Sequence, residues 1–170
     1  MNTYQNSHSH DEKMRILIAC FSYSGNTLKV AYALQKVLSA EFTQIEPVED
    51  KWFLFKVWNS LRGNLVPIKP CITDLKDYDA LIICSPVWAG RTPAAVNEYL
   101  SLLKNARDKK FGVLITAGGK RNQKTAVYIR EYLTQQDMNF LGQTRILADE
   151  VKNESFNEKI ELFSKKFQIK

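Results

Sequence analysis

The alternation of buried strands with amphipathic helices constrains this chain more than any other feature of its sequence. Five apolar segments have the length of strands, and they lie at residues 14–20, 42–48, 78–85, 111–116 and 140–147. Helical spacing of apolar residues is found at residues 28–38, 93–103, 123–133 and 155–167. Strands without a polar face, each followed by a helix, are typical of a parallel sheet that is covered on both sides. The sequence therefore predicts an α/β fold.

Length and composition indicate a single domain. A chain of 170 residues with 45% hydrophobic residues is sufficient for one core. We predict that the polar residues 1–13 form a disordered tail and that residues 14–170 form the domain. The sequence contains neither an apolar run that could span a bilayer nor the apolar region of a secretory signal. Three widely spaced cysteines without a C-x-x-C motif then predict a reduced, cytoplasmic protein without a metal site.

A turn rich in hydroxyl groups joins the first predicted strand to the first predicted helix. It reads C-F-S-Y-S-G-N-T over residues 20–27. The first N–H groups of a helix have no intrahelical partner, and the helix dipole places partial positive charge there. Further donors come from the side chains of Ser22, Ser24, Asn26 and Thr27. These features favour a phosphate ligand, although the same residue types are also common in ordinary helix caps and turns.

Two further loops follow the third and fourth predicted strands, so they would lie at the same edge of the sheet. Residues 85–93 read S-P-V-W-A-G-R-T-P, and Trp88 would either be covered by a flat ligand such as a flavin ring or pack onto its own domain. Residues 116–122 read T-A-G-G-K-R-N. Adjacent glycines allow backbone N–H groups to approach the edge of a ring, but they also suit a plain turn.

One segment departs from the pattern of strand and helix. Residues 50–70 lie where a crossover helix is expected, and they are unusually aromatic and basic, with Trp52 and Trp58 among them. We favour an irregular crossover helix that packs on the sheet. The alternative is an exposed aromatic surface for a partner, a membrane interface or a substrate.

At the three loops together, the chain resembles the flavodoxin-like FMN-binding family, of the short-chain flavodoxin or NAD(P)H-dependent FMN oxidoreductase type. The family's phosphate-loop pattern is a hydroxyl residue, any residue, Ser or Thr, Gly, any residue and Thr, which residues 22–27 match. Residues 85–93 and 116–119 are similar to the family's second and third flavin loops. The resemblance covers roughly residues 15–148. It implies a flavodoxin-like three-layer sandwich, a five-stranded parallel sheet in the order 2-1-3-4-5 with helices on both faces, and FMN as the cofactor.

The resemblance also implies a role for each loop. The phosphate of FMN would be held by the phosphate loop, which comprises Ser22, Tyr23, Ser24, Gly25, Asn26 and Thr27. One face of the flavin ring and its N5 edge would be covered by the second loop, which comprises Pro86, Val87, Trp88, Ala89 and Gly90. The pyrimidine edge would be lined by the third loop, which comprises Thr116, Ala117, Gly118 and Gly119. No residue is assigned a catalytic role, because the flavin supplies the chemistry.

Two departures from carrier flavodoxins favour an enzyme. The third loop lacks the aromatic residue that stacks on the outer ring face in carrier flavodoxins, which leaves that face open to a substrate or nicotinamide. The net charge is +6, whereas carrier flavodoxins are acidic, and Arg91, Lys120 and Arg121 could meet the phosphates of NADPH or an acidic redox partner protein. We therefore expect an NAD(P)H-dependent oxidoreductase with a flavin or quinone-type acceptor. The alternative is a flavodoxin-type carrier in electron transfer that a partner protein reduces.

Other function classes have less support. A low-molecular-weight tyrosine phosphatase needs an Arg six positions after its Cys, and here Asn26 stands six positions after Cys20. Nucleic-acid binding is suggested by the positive charge alone, without a recognised motif, so no nucleic-acid partner is expected. A homodimer is a further hypothesis, because a second chain could complete the open flavin face.

Overall fold

The computed structural model describes residues 13–48, 65–88, 90–119 and 124–168. Its strands are β1 (Ile16–Cys20), β2 (Glu41–Gln44), β3 (Ala80–Pro86), β4 (Lys110–Ala117) and β5 (Asn139–Leu147). Its α-helices are α1 (Asn26–Leu38), α2 (Ala94–Ser101), α3 (Lys124–Thr134), α4 (Ala148–Lys152) and α5 (Asn157–Ser164), and a 3₁₀ turn follows at Lys165–Phe167. Across these described ranges no helix has the length and apolarity needed to cross a membrane.

All five strands pair in parallel within one sheet. Their order is β2-β1-β3-β4-β5, which confirms the predicted 2-1-3-4-5 topology. Every residue of β1 is buried, as its apolar sequence on both faces requires. Parallel strands need crossover connections, and these place helices over the two faces of the sheet.

The two faces of the sheet carry separate cores. On one face α2 and α3 are packed against the sheet, with Tyr99 and Ile129 fully buried. On the other face α1 and α5 are packed, with Leu34 and Phe163 buried. Helices therefore cover both faces, and the flavodoxin-like three-layer sandwich is confirmed.

Strand β2 is shorter than the expected segment 42–48. It ends at Gln44, because Pro47 has no N–H group with which to continue the ladder. The chain then pairs in the antiparallel direction with residues 67–69, where the N–H of Val48 donates to the oxygen of Pro67 at 3.0 Å. The predicted crossover segment with Trp52 and Trp58 lies mostly outside the described residues, as does most of the predicted tail.

The short helix α4 was not expected from the sequence. Its start is stabilised by Glu150, whose Oε2 accepts a hydrogen bond of 2.7 Å from the N–H of Leu147. Asp149 and Glu150 also place negative charge in the first turn, where the helix dipole favours it. Five residues are too few for a detectable helical period, so the pattern of apolar residues did not reveal this element.

The carboxyl-terminal turn closes onto β4 and β5 at two glycines. A Cβ atom at Gly112 of β4 would overlap Cζ of Phe167 and lie 2.9 Å from Cζ of Phe163. A Cβ atom at Gly142 of β5 would lie 2.7 Å from Cδ of Lys166. The missing side chains therefore give room to two buried phenyl rings and to the stem of a lysine.

Candidate cofactor site

The three predicted loops meet at one edge of the sheet. They follow β1, β3 and β4, which are neighbours in the sheet. The register pairs Cys20 with Cys84 and Pro86 with Thr116, so β1 ends about two residues before β3, and β3 and β4 end within one residue of each other. Ala89 lies outside the described residues, and the other predicted site residues are all placed at this edge.

The phosphate loop is exposed and leads directly into α1. Residues 23–26 are exposed, and Gly25 has a φ of 86°, a conformation that glycine adopts without strain. Gly25 is the N-cap, so within the described residues no side chain caps the first N–H groups of this 13-residue helix. The first turn of α1 also contains no acidic residue. An anion at this helix end would therefore meet free donors and a favourable dipole.

Ser22 provides an independent sign of a ligand at this loop. Its Oγ atom is buried, yet it has no hydrogen-bond partner among the residues that the structure describes. An unpaired buried hydroxyl costs free energy, and most such groups in proteins have a partner. A phosphate oxygen is an acceptor that would satisfy it. The residues present therefore fit a bound phosphate group.

The second loop is a closed turn that carries Trp88. The N–H of Trp88 donates to the oxygen of Arg91 at 3.1 Å, and the N–H of Arg91 donates back at 2.8 Å. Gly90 within this turn has a φ of 77°. Below the turn, the N–H of Val87 donates to the oxygen of Thr116 at 2.9 Å. The turn is thus held closed by its own hydrogen bonds and is anchored to β4 by the bond from Val87.

The indole ring of Trp88 is half-buried and makes edge contacts with two aromatic rings of the described residues. Its centroid lies 5.2 Å from that of Phe21, with an interplanar angle of 76°, and 6.0 Å from that of Tyr23, with an angle of 81°. The sequence left open whether Trp88 packs on its own domain or faces a flat ligand. Its edge contacts show that it packs on its own domain, and its partial exposure leaves surface for a second ring.

The third loop is open where its two glycines lie. Gly118 and Gly119 are exposed, and a Cβ atom on either would meet no described atom within 4 Å. The loop begins at Thr116, whose side chain points away from solvent and bonds to Thr27, with 2.7 Å between the two Oγ1 atoms. The glycines therefore border space that no described atom fills, while the side chain of Thr116 does not.

A cavity of about 270 Å³ lies beside Trp88 on the side of β2. Its walls include Phe21, Tyr23 and Ile45, and its lining also includes Lys69 and Glu46, which form an ion pair at 2.7 Å. No residue of the third loop is among its described lining. Ligand pockets usually measure roughly 300–1,000 Å³, so this cavity by itself is small for FMN.

Sequence reasoning missed Thr92 as a candidate residue. It follows the second loop, is 5% exposed, and its Oγ1 has no partner among the described residues. Its position between the second loop and Pro93 was the available signal. Of the predicted basic residues, Arg91 is exposed beside the second loop, whereas Lys120 and Arg121 lie outside the described residues.

The cysteine thiols at the strand ends are inert rather than activated. Cys20 and Cys84 are fully buried, and burial raises the pKa of Cys20 to about 12. Burial, together with the neighbouring Cys20, raises the pKa of Cys84 well above its ordinary value. A phosphatase nucleophile must be a thiolate at neutral pH, so the state of Cys20 argues against that class.

We expect a thiol reagent to distinguish these cysteines. In the folded protein at pH 8, Ellman's reagent should modify Cys71 alone, because Cys71 is partly exposed whereas the two strand cysteines are buried and protonated. Burial also raises the pKa of Cys71, so its modification should be slow. In guanidinium chloride all three thiols should react. Rapid reaction of Cys20 or Cys84 in the folded state would contradict the tight closure of the strand ends.

Comparisons with known structures agree with this fold. A flavoprotein of Lactobacillus acidophilus NCFM, crystallised in complex with FMN, is 23% identical with a TM-score of 0.67 over 84% of this chain and 99% of that chain. A Bacteroides eggerthii protein is 19% identical with a TM-score of 0.72 over 93% and 100% of the two chains. Oxidised flavodoxin 2 of Bacillus cereus is 20% identical with a TM-score of 0.62 over 90% and 97%.

Comparison at the level of sequence identifies a family. No curated protein matches the chain. The sequence profile of the NADPH-dependent FMN reductases matches residues 14–153, which include β1 to β5 and all three loops. The uncapped end of α1 and the unpaired hydroxyl of Ser22 fit the phosphate of the cofactor that this family uses. The chain is an FMN-binding redox protein that belongs to the NADPH-dependent FMN reductase family.

Proposed function

We propose that this protein is an NAD(P)H-dependent oxidoreductase that transfers reducing equivalents through bound FMN to a small acceptor, such as free flavin or a quinone. The observation that supports this most is the open third loop. Gly118 and Gly119 present no side chain, and the space beside them contains no described atom within 4 Å of a Cβ position. Because this loop would line the edge of the flavin, a nicotinamide or an acceptor could approach the adjacent ring face.

Each loop has a distinct part in the proposed site. The hydroxyl of Ser22 and the free N–H groups at the start of α1 would bind the phosphate of FMN. Trp88 would cover one face of the ring, while the backbone of Gly118 and Gly119 would approach the pyrimidine edge. When bound, FMN supplies the hydride and electron chemistry, and these residues hold and orient it.

Charge around the site supports a phosphorylated donor. Arg91 is exposed at the end of the turn that carries Trp88. A guanidinium group is well suited to the phosphates of NADPH or to an acidic partner protein. We further propose a cytoplasmic location, where the three free cysteines would stay reduced. Assembly as a homodimer belongs to the same proposal.

Stopped-flow mixing with NADPH tests the proposal. The protein loaded with FMN is mixed anaerobically with NADPH, and the flavin absorbance near 450 nm is followed. We expect the absorbance to bleach at a rate that rises with NADPH concentration. Addition of a soluble naphthoquinone should then restore the yellow colour.

Two controls decide between a reductase and a carrier. Arg91→Met removes the charge and keeps an unbranched side chain, so it should raise the NADPH concentration needed for half-maximal bleaching and leave the final amplitude unchanged. Slow or absent bleaching of the wild-type protein would remove the reductase and favour a carrier that is reduced by a partner protein. Dithionite should bleach the flavin in either case, which verifies that the cofactor is intact.

A further inference from the structure

Thr116 connects all three cofactor loops. Its Oγ1 lies 2.7 Å from Oγ1 of Thr27, the second residue of α1 and the last residue of the phosphate loop. Its carbonyl oxygen accepts a hydrogen bond of 2.9 Å from the N–H of Val87 in the second loop. Its own chain continues through Ala117 into the third loop. A single residue at the end of β4 therefore joins segments that are far apart in sequence.

The hydroxyl pair is closed off from solvent. Thr27 is 1% exposed and Thr116 is 5% exposed. A hydroxyl group carries one proton, so one partner of the pair donates and the other accepts. A hydrogen bond in such a buried place is held firmly, because the loss of one partner would leave the other unsatisfied. The side chain of Thr116 is thus committed to Thr27 rather than turned towards the open space of the third loop.

We propose that Thr116 is a positioning residue, whose hydrogen bond to Thr27 fixes the distance between the phosphate loop and the third loop so that one FMN molecule meets both at once. This differs from the direct contact with the pyrimidine edge that the family resemblance implied. The inference rests on the proposed use of the three loops by FMN, and it does not depend on NAD(P)H. A ligand that bridges two sites gains affinity when their spacing is set beforehand.

The test compares FMN with riboflavin, which has the same ring but no phosphate. Thr116→Val removes the hydroxyl and keeps the shape of the side chain and the carbonyl group. We expect the affinity for FMN to fall roughly fivefold to tenfold, and that for riboflavin to change by no more than about twofold, because only FMN spans both loops. Quenching of flavin fluorescence by the apoprotein measures both dissociation constants. Thr116→Ser, which restores a hydroxyl, should recover most of the FMN affinity.

Thr125 offers a matched control. It is fully buried in α3, and its Oγ1 has no partner among the described residues, so Thr125→Val deletes the same atoms without breaking a hydrogen bond. We expect Thr125→Val to leave the FMN dissociation constant at its wild-type value. Thr116→Ala serves as the second variant if Thr116→Val does not fold.

Two results would overturn the inference. Equal losses of FMN and riboflavin affinity in Thr116→Val would mean that its hydroxyl contacts the ring directly. An unchanged FMN affinity would mean that the bond to Thr27 has no bearing on the cofactor. Failure of NADPH to reduce the protein would instead remove the proposed reductase activity, and the two flavin affinities would still decide the role of Thr116.

Discussion

Replacing Gly112 with alanine is expected to lower the free energy of unfolding by about 2 kcal/mol, because overpacking a core by one methyl group usually costs about 1–3 kcal/mol. The added Cβ would overlap Cζ of Phe167 and crowd Cζ of Phe163. Both rings are at least 98% buried and meet in an edge contact at 5.3 Å, so neither has space to move aside. Thermal melting of the apoprotein should show a decrease of about 4–8 °C.

Gly118→Ala is the matched control for Gly112→Ala. Gly118 follows the same strand, and a Cβ atom there would meet no described atom within 4 Å. Its substitution should change the free energy of unfolding of the apoprotein by no more than about 0.5 kcal/mol. Phe167→Leu in the Gly112→Ala background should recover part of the loss, since it removes the atom that the new methyl group meets. Equal stabilities of the two alanine variants would contradict the packing of the carboxyl-terminal turn on β4.

Replacing Trp88 with alanine is expected to weaken FMN binding roughly thirtyfold, which corresponds to about 2 kcal/mol of lost stacking and burial. The half-buried indole is held on edge by Phe21 and Tyr23 within a turn closed by two hydrogen bonds, so it is positioned before the cofactor arrives. The same substitution should shift the midpoint potential of the flavin, because it changes the environment of one ring face. Fluorescence titration and dye equilibration measure the two effects.

Two variants separate stacking from a general loss of aromatic packing. Trp88→Phe keeps a ring in the turn and should recover much of the FMN affinity. Tyr32→Ala removes a more exposed ring that packs on Phe42 of β2 at 4.9 Å, and it should leave FMN binding unchanged. If the Trp88→Ala variant keeps the wild-type FMN affinity and midpoint potential, the contacts of Trp88 with Phe21 and Tyr23 serve only the packing of the domain. Another residue then covers the flavin ring.

The architecture could be predicted because it depends on segment composition. Runs such as β1, apolar at every residue, are typical of the buried strands of a covered parallel sheet, and helical periods identified the helices that follow β1, β3 and β4. Errors arose where one residue decided the boundary. Helix α1 begins at Asn26 rather than at residue 28, because Gly25 is its N-cap. Strand β2 ends early, because the chain turns at Pro47 towards residues 67–69.

The sequence was sufficient to locate the candidate site, but it did not show what each residue of the site does. Loops that follow neighbouring parallel strands must share an edge, so the positions of the three loops follow from topology. The bond between Thr27 and Thr116 joins residues 89 positions apart, and no local pattern indicates such a contact. The unpaired hydroxyl of Thr92 was likewise invisible, since the sequence does not show which polar groups lack a partner after folding.

Strand β5 lies at one end of the sheet, and Lys166, which packs on it, affects how readily another chain can associate with this edge. An edge strand of nine residues offers a row of backbone groups to which another chain could add a strand. The stem of Lys166 lies over the face of this strand at Gly142 and brings a positive charge beside the edge. A charged lysine beside an edge strand is one of the features by which proteins discourage strand addition by another chain. We therefore expect Lys166 to disfavour the growth of the sheet beyond β5 and so to lower the tendency of the folded protein to aggregate through this edge.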